Sequence, residues 1–144
     1  MEESIYFINY YIKQKCIIQN DKKNTIFNSL KIPEISIKDY LTRIYKYTDS
    51  SYEISIITYI LLNKINKSFI KINSLNIHRL LCTLILIVIK YYSDHYYDNA
   101  YYSKISGISL QELNKLEITL LKKIDFRLNI SLEEFKYIES QLFN

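Results

Sequence analysis

One glycine (Gly107) and one proline (Pro33) in 144 residues leave this chain almost without the punctuation that a sandwich or barrel needs at its many turns. Tryptophan is absent, and Cys16 and Cys82 are the only cysteines. One lies in an N-terminal helical segment and the other inside the most apolar run, so they offer neither a disulfide framework nor a metal-ligand cluster. A reducing, intracellular setting (cytoplasm, nucleus or both) is the natural expectation. The run from Leu80 to Ile89 falls short of the ~20 apolar residues that a membrane span requires, and Arg79 and Lys90 bracket it. It reads as a buried helix. The acidic start Met1-Glu2-Glu3-Ser4 does not read as a secretory leader.

What the chain does have is apolar surface: 49% hydrophobic residues, enough to close one core at this length. Long apolar-periodic runs make the expected class all-α. The formal charge of +4 comes from 16 lysines and three arginines (Arg43, Arg79, Arg127) scattered along the chain. Scattered lysines describe a solvated face, so nucleic-acid binding is not expected. The 15 tyrosines accompany an abundance of Ile, Asn and Lys, all with AT-rich codons, and their number carries little functional information.

Helix starts are marked by a recurring capping-box spacing at Ser36 with Asp39, Ser50 with Glu53, Ser109 with Glu112, and Ser131 with Glu134. At each, the serine hydroxyl can accept an orphan amide proton of the first turn while the acid sits near the positive helix end. From the first start Ile37, Tyr40, Leu41, Ile44 and Tyr47 share a face; from the second Ile54, Ile57, Leu61 and Ile65 do so. A third helix runs from about Leu75 to Tyr92 and is apolar on all sides between Leu80 and Ile89, as a central post would be. A short helical piece, Asn99 to Lys104, follows in a Tyr-rich connector, and Gly107 permits a turn before Ser109. Leu110, Leu113, Leu116, Leu120 and Ile124 form the stripe of a fifth helix. Ser4 to Ile18 and Ser131 to Phe143 add a helix at each end, and the polar segment Gln19 to Ser29 reads as a linker.

Two charges sit awkwardly in this pattern. Glu117 lies on or beside the apolar stripe of the fifth helix, and Lys90 ends the central one. Burying either unpaired is expensive, so both must reach water or pair with one another.

The segments Asn76-Ile77-His78-Arg79-Leu80-Leu81-Cys82-Thr83 through Lys90 and Asp94-His95-Tyr96-Tyr97-Asp98-Asn99-Ala100-Tyr101-Tyr102-Ser103-Lys104 resemble the centre of a cyclin box of the P/U (phosphate-pathway) type. The resemblance covers roughly Ile32 to Ile130. It includes Ile32-Pro33, Ile35-Ser36-Ile37, the run Tyr40 to Tyr47, Glu112-Leu113-Asn114, Leu116-Glu117 and Asp125-Phe126. It implies a five-helix cyclin box (31–130) with an N-terminal helix and linker (1–30) and a C-terminal helix (131–144).

By the same resemblance the chain would be the non-catalytic regulatory subunit of a cyclin-dependent kinase, needing no cofactor. Lys90 and Glu117 would bond backbone groups beside the kinase C helix. Ile87, Tyr91, Leu121, Phe126 and Leu128 would form the surrounding apolar patch, partly accessible when no kinase is bound and able to drive self-association. Phe126 and Leu128 would lie in a strand-like exit segment.

Two departures from the family pattern stand out. Cyclins usually pair the arginine of the first box helix, here Arg43, with an aspartate in the second, and the aligned residue is Asn63. That brace becomes at best a charge-to-amide hydrogen bond, or Arg43 bonds elsewhere. The missing tryptophan argues against the substrate-docking groove that some cell-cycle cyclins use. Asp94, His95 and Asp98 lack a fourth ligand and helical spacing, so no metal site is expected in what reads as a mobile connector. His78, at the start of an apolar helix, reads as a hydrogen-bonded structural residue. No phosphate loop or activated nucleophile is visible. The rival readings are a cyclin-fold module associated with nucleic acid or transcription, and a scaffold that acts without a kinase.

Overall fold

The computed structural model describes residues 2–16 and 25–142. Those residues form seven helices: α1 (Glu2–Lys15), α2 (Ile37–Thr48), α3 (Tyr52–Ser68), α4 (Ile77–Tyr92), α5 (Asn99–Ser106), α6 (Leu110–Lys123) and α7 (Leu132–Leu142). The all-α expectation holds. Ile17, Ile18, Phe143 and the first part of the expected linker lie outside the described residues.

The capping chemistry works at three of its four places. The hydroxyls of Ser36, Ser109 and Ser131 accept the amides of Asp39, Glu112 and Glu134 at 3.1, 3.2 and 3.0 Å. Ser50 does not cap. Its hydroxyl pairs with that of Thr48 at 2.7 Å, Asp49 ends α2 in the left-handed region, and α3 starts one residue later from Ser51. The tight turn draws Ser50 back onto α2 and leaves it out of reach of the α3 amides. Asparagines build the entry to α4. Asn73 Oδ1 accepts the amides of Leu75 and Asn76, and Asn76 Oδ1 accepts that of Asn73.

The centre of the molecule is α4. Residues Leu80 to Ile89 are buried all round, enclosed by α2, α3 and α6. The flanking α1 shares this core, contributing Ile5, Ile8, Tyr11 and Ile12. The expected linker does not behave as one where it is described. Phe27 is fully buried, the Ser29 amide donates to the Leu75 carbonyl, and Arg79 Nε donates to the Ile26 carbonyl. An aromatic ring in a polar stretch outweighs its neighbours, because burying it brings far more stabilisation than keeping the segment solvated. By contrast α7 buries no residue completely. It lies on α3, tied by Lys64–Glu134 at 3.1 Å and by Tyr52 donating to Glu139 at 2.9 Å.

Polar groups inside this core have defined partners. Buried Tyr40 donates to the Ser106 carbonyl at 2.9 Å, pinning α2 to the end of α5. The His78 ring, buried at the top of α4, meets the Ile35 carbonyl through Nε2 at 2.8 Å while Nδ1 has no partner. It serves as the structural residue expected. Burial lowers its pKa, against the smaller opposing effect of the Ile35 carbonyl, so the ring is neutral with its proton on Nε2.

Two outcomes follow for stability. Tyr40→Phe should cost about 1 to 3 kcal/mol in a denaturant titration, because it leaves a buried carbonyl without its donor. The unfolded histidine titrates near 6.5 and the folded one lower, so stability is complete above that value and falls as the pH drops through it, when only the unfolded chain takes up the proton. The thermal midpoint should therefore decline between about pH 7 and pH 5, before ordinary carboxylates titrate, and His78→Gln should flatten that decline.

Candidate functional site

The two awkward charges meet. Lys90, in the last turn of α4, places Nζ 2.8 Å from Glu117 Oε2 on α6, with side chains 26% and 18% exposed. This pair stands at the edge of the core. Asn99, the first residue of α5, joins both partners. Its Oδ1 accepts from Lys90 Nζ at 2.5 Å, and its Nδ2 donates to Glu117 Oε1 at 3.1 Å and to Asn114 Oδ1 at 2.7 Å. Lys90 keeps one N–H in reserve, and Glu117 keeps lone pairs. What the site can offer a partner is one donor and one acceptor of opposite charge, side by side.

Apolar side chains flank it, though not all those expected. Tyr91 (52% exposed) and Phe126 (58%) are open to solvent and Leu121 is half-buried. Ile87 and Leu128 are 2% and 6% exposed, which corrects the expectation that both are accessible. Ile87 sits one turn below Lys90, where α4 is still enclosed by its neighbours. Leu128 is drawn inward as the chain leaves α6, with its carbonyl bonded by the Tyr92 hydroxyl.

The exit segment is not strand-like. The amide of Phe126 donates to the Leu121 carbonyl at 2.8 Å and that of Asp125 to Lys122 at 3.1 Å, a Schellman closure of α6. Asp125 and Phe126 have φ of 56° and 55°, a left-handed conformation that side-chain-bearing residues adopt at a cost of about 1 to 3 kcal/mol each. That turn holds the Phe126 ring outside the core.

Four further residues escaped the sequence reading. Leu110, taken for core, is 43% exposed, and Ile118 is 44% exposed. Together with Asn114, Glu117 and Leu121 they form a second face of α6, beside that of Leu113, Leu116 and Leu120, which are buried. The signal was present in part: Ile118 and Leu121, three residues apart, are left over once the core stripe is assigned. Asn99 and Asn114 carried no comparable signal, because carboxamides are common in connectors and on helix surfaces.

The connector itself is ordered by its tyrosines. The Tyr97 and Tyr101 rings stack at 4.1 Å, buried Tyr102 accepts the Tyr97 amide at 3.0 Å, and Tyr101 donates to the Tyr47 carbonyl at 2.7 Å. Asp98 caps α5 by accepting the Tyr101 amide at 3.0 Å, and Gly107, at φ 72°, closes that helix. Among the described residues no group of three His, Cys, Asp or Glu converges as a metal would require. Cys82 is a buried thiol whose pKa burial pushes up to about 11.

Arg43 and Asn63 are not brought together. Asn63 Oδ1 accepts the Tyr11 hydroxyl at 2.9 Å, while Arg43 lies over the Tyr40 ring at 5.2 Å with its Nε buried and unpartnered. A neutral carboxamide lacks the charge to draw the guanidinium across, and α1 supplies it with another partner.

The chain folded as this helical bundle matches the cyclin family model over residues 9–128 and belongs to that family. Curated relatives are plant U-type and P-type cyclins. The chain is 39% identical to cyclin-U4-3 of Arabidopsis thaliana over 132 residues, covering 87% of this chain and 60% of the relative. It is 36% identical to cyclin-U4-1 of the same plant (88% and 63% covered) and 37% identical to cyclin-P3-1 of Oryza sativa subsp. japonica (78% and 48%). The chain thus spans about half to three fifths of the length of these relatives. No helix among the described residues is long and apolar enough to cross a membrane.

Burial separates the patch into two groups that a stability scan can tell apart. Ile87→Ala and Leu128→Ala should each cost about 2 to 5 kcal/mol, whereas Phe126→Ala should stay within about 0.5 kcal/mol of the parent. Asn63→Asp should leave the thermal midpoint level or lower, because Arg43 is not there to receive the new charge; a raised midpoint would restore the Arg43–Asn63 brace.

Proposed function

We propose that this chain is the regulatory subunit of a cyclin-dependent serine/threonine kinase, with α2 to α6 as the five-helix box and α1 and α7 as flanking helices. The observation that carries this reading is the Lys90–Glu117 pair, set among exposed Tyr91, Ile118 and Phe126 and half-buried Leu121 at the meeting of α4 and α6. In cyclins the third and fifth box helices pack on the kinase C helix, and here those helices are α4 and α6. The spare N–H of Lys90 and the lone pairs of Glu117 suit a main-chain carbonyl and amide of the partner, leaving specificity to the apolar rim.

Packing there favours the inward position of the C helix, in which the kinase's catalytic lysine and C-helix glutamate pair and position the ATP phosphates. The chain contributes binding free energy and no reacting group, needs no cofactor, and acts inside the cell where such kinases reside. Ile87 and Leu128, both buried, support the face from within the core and do not touch the partner.

Pull-down from native lysate with mass spectrometry should return a cyclin-dependent kinase. The decisive variant is the double exchange Lys90→Glu with Glu117→Lys. It keeps an internal ion pair, so the helical circular-dichroism signal should persist. It also swaps donor for acceptor towards the partner, so kinase association should be lost, each disrupted charge contact being worth ~2 to 5 kcal/mol. Binding equal to that of the parent would remove this pair from the interface. Phe126→Ala should weaken association while sparing the fold, as an exposed aromatic anchor does. Without a kinase the same patch should promote self-association, and added kinase should raise the thermal midpoint.

A further inference from the structure

We propose that Asn99 is a positioning residue of the kinase-binding pair: its carboxamide sets the geometry of Lys90 and Glu117 before any partner arrives, and makes α5 part of the binding face. The kinase half of this inference rests on the function proposed above; the positioning half stands on the geometry alone.

An ammonium group can only donate and an ionised carboxylate can only accept, so a side chain that bridges both must carry a donor and an acceptor at once. A carboxamide does so, and the chemistry of its neighbours dictates its orientation: Oδ1 towards Lys90 Nζ at 2.5 Å, Nδ2 towards Glu117 Oε1 at 3.1 Å. The second Nδ2 proton is taken by Asn114 Oδ1 at 2.7 Å, one turn before Glu117 on α6, so the bridge is anchored independently of the pair it holds. With Asn99 in place Lys90 has two of its three protons committed. Its long stem is restrained, and less freedom remains to be lost on binding.

Asn99 is itself held. It opens α5, whose cap is the Asp98 carboxylate, whose buried ring is Tyr102, and whose Tyr101 hydroxyl reaches the Tyr47 carbonyl at the end of α2. The position of the pair is thereby tied to the connector and, through it, to the end of α2. An aspartate at position 99 would keep the shape and suit the positive end of α5, yet it would put an oxygen where Nδ2 now faces two oxygens. The site should respond to it while the fold is spared.

The test uses the whole chain. Proton–nitrogen spectra of lysine ammonium groups should show a slowly exchanging Lys90 signal in the parent, identified by its loss in Lys90→Gln. Asn99→Ala and Asn99→Asp should broaden that signal away. Affinity for a purified cyclin-dependent kinase that the parent binds should fall about tenfold or more in both variants, the worth of hydrogen bonds to charged groups. Asn99→Asp should keep the thermal midpoint of the parent, and Asn114→Ala should weaken affinity less than either.

A Lys90 signal that persists in both variants overturns the proposal. So does unchanged kinase affinity, and so does an affinity loss in Asn99→Asp that merely follows a fall in midpoint. If no cyclin-dependent kinase binds the parent, the function proposed above fails, while the ammonium spectra still decide whether Asn99 positions Lys90.

Discussion

The enclosure of α4 is the constraint on which the rest of the structure depends. A helix apolar around its whole circumference is stable only when other helices cover every side of it, and α2, α3 and α6 do so. Once Leu80 to Ile89 are buried, the helix can carry a charge only where its cover ends. Lys90 stands at that place. The location of the site is a by-product of burying the post: Lys90 is the first residue after Leu80 to Ile89 to leave the core.

A cation at the rim of a core is a liability unless its protons are used. Glu117 and Asn99 use two of them, drawing α6 and α5 to the end of α4. The same three side chains therefore hold three helices together and define the face they present. Tyr91 and Tyr92 extend this arrangement, reaching Asn129 Oδ1 and the Leu128 carbonyl, so that the turn after α6 is held against the end of α4. Strain at Asp125 and Phe126 is tolerated because these contacts, together with the Schellman closure, fix the turn from both sides.

The two faces of α6 are used differently. Leu113, Leu116 and Leu120 complete the core, whereas Leu110, Ile118 and Leu121 add apolar surface that the core does not consume.

Sequence alone determined the helices, because hydrophobic period and serine caps act within a few residues of each other. It also determined the central post, for ten nearly unbroken apolar residues have no stable place but an enclosed one, and it marked Lys90 and Glu117 as charges in need of an explanation. Tertiary structure decided matters that depend on residues distant in the chain. It turned Ser50 back onto Thr48, buried Phe27 from within a polar stretch, and placed Ile87 and Leu128 inside while Phe126 stayed outside. It gave Asn63 to Tyr11 and left Arg43 over Tyr40. The bridging contacts of Asn99 were least legible of all. A carboxamide declares no partner by its type, and only the convergence of three helix ends supplied an ammonium on one side of it and a carboxylate on the other.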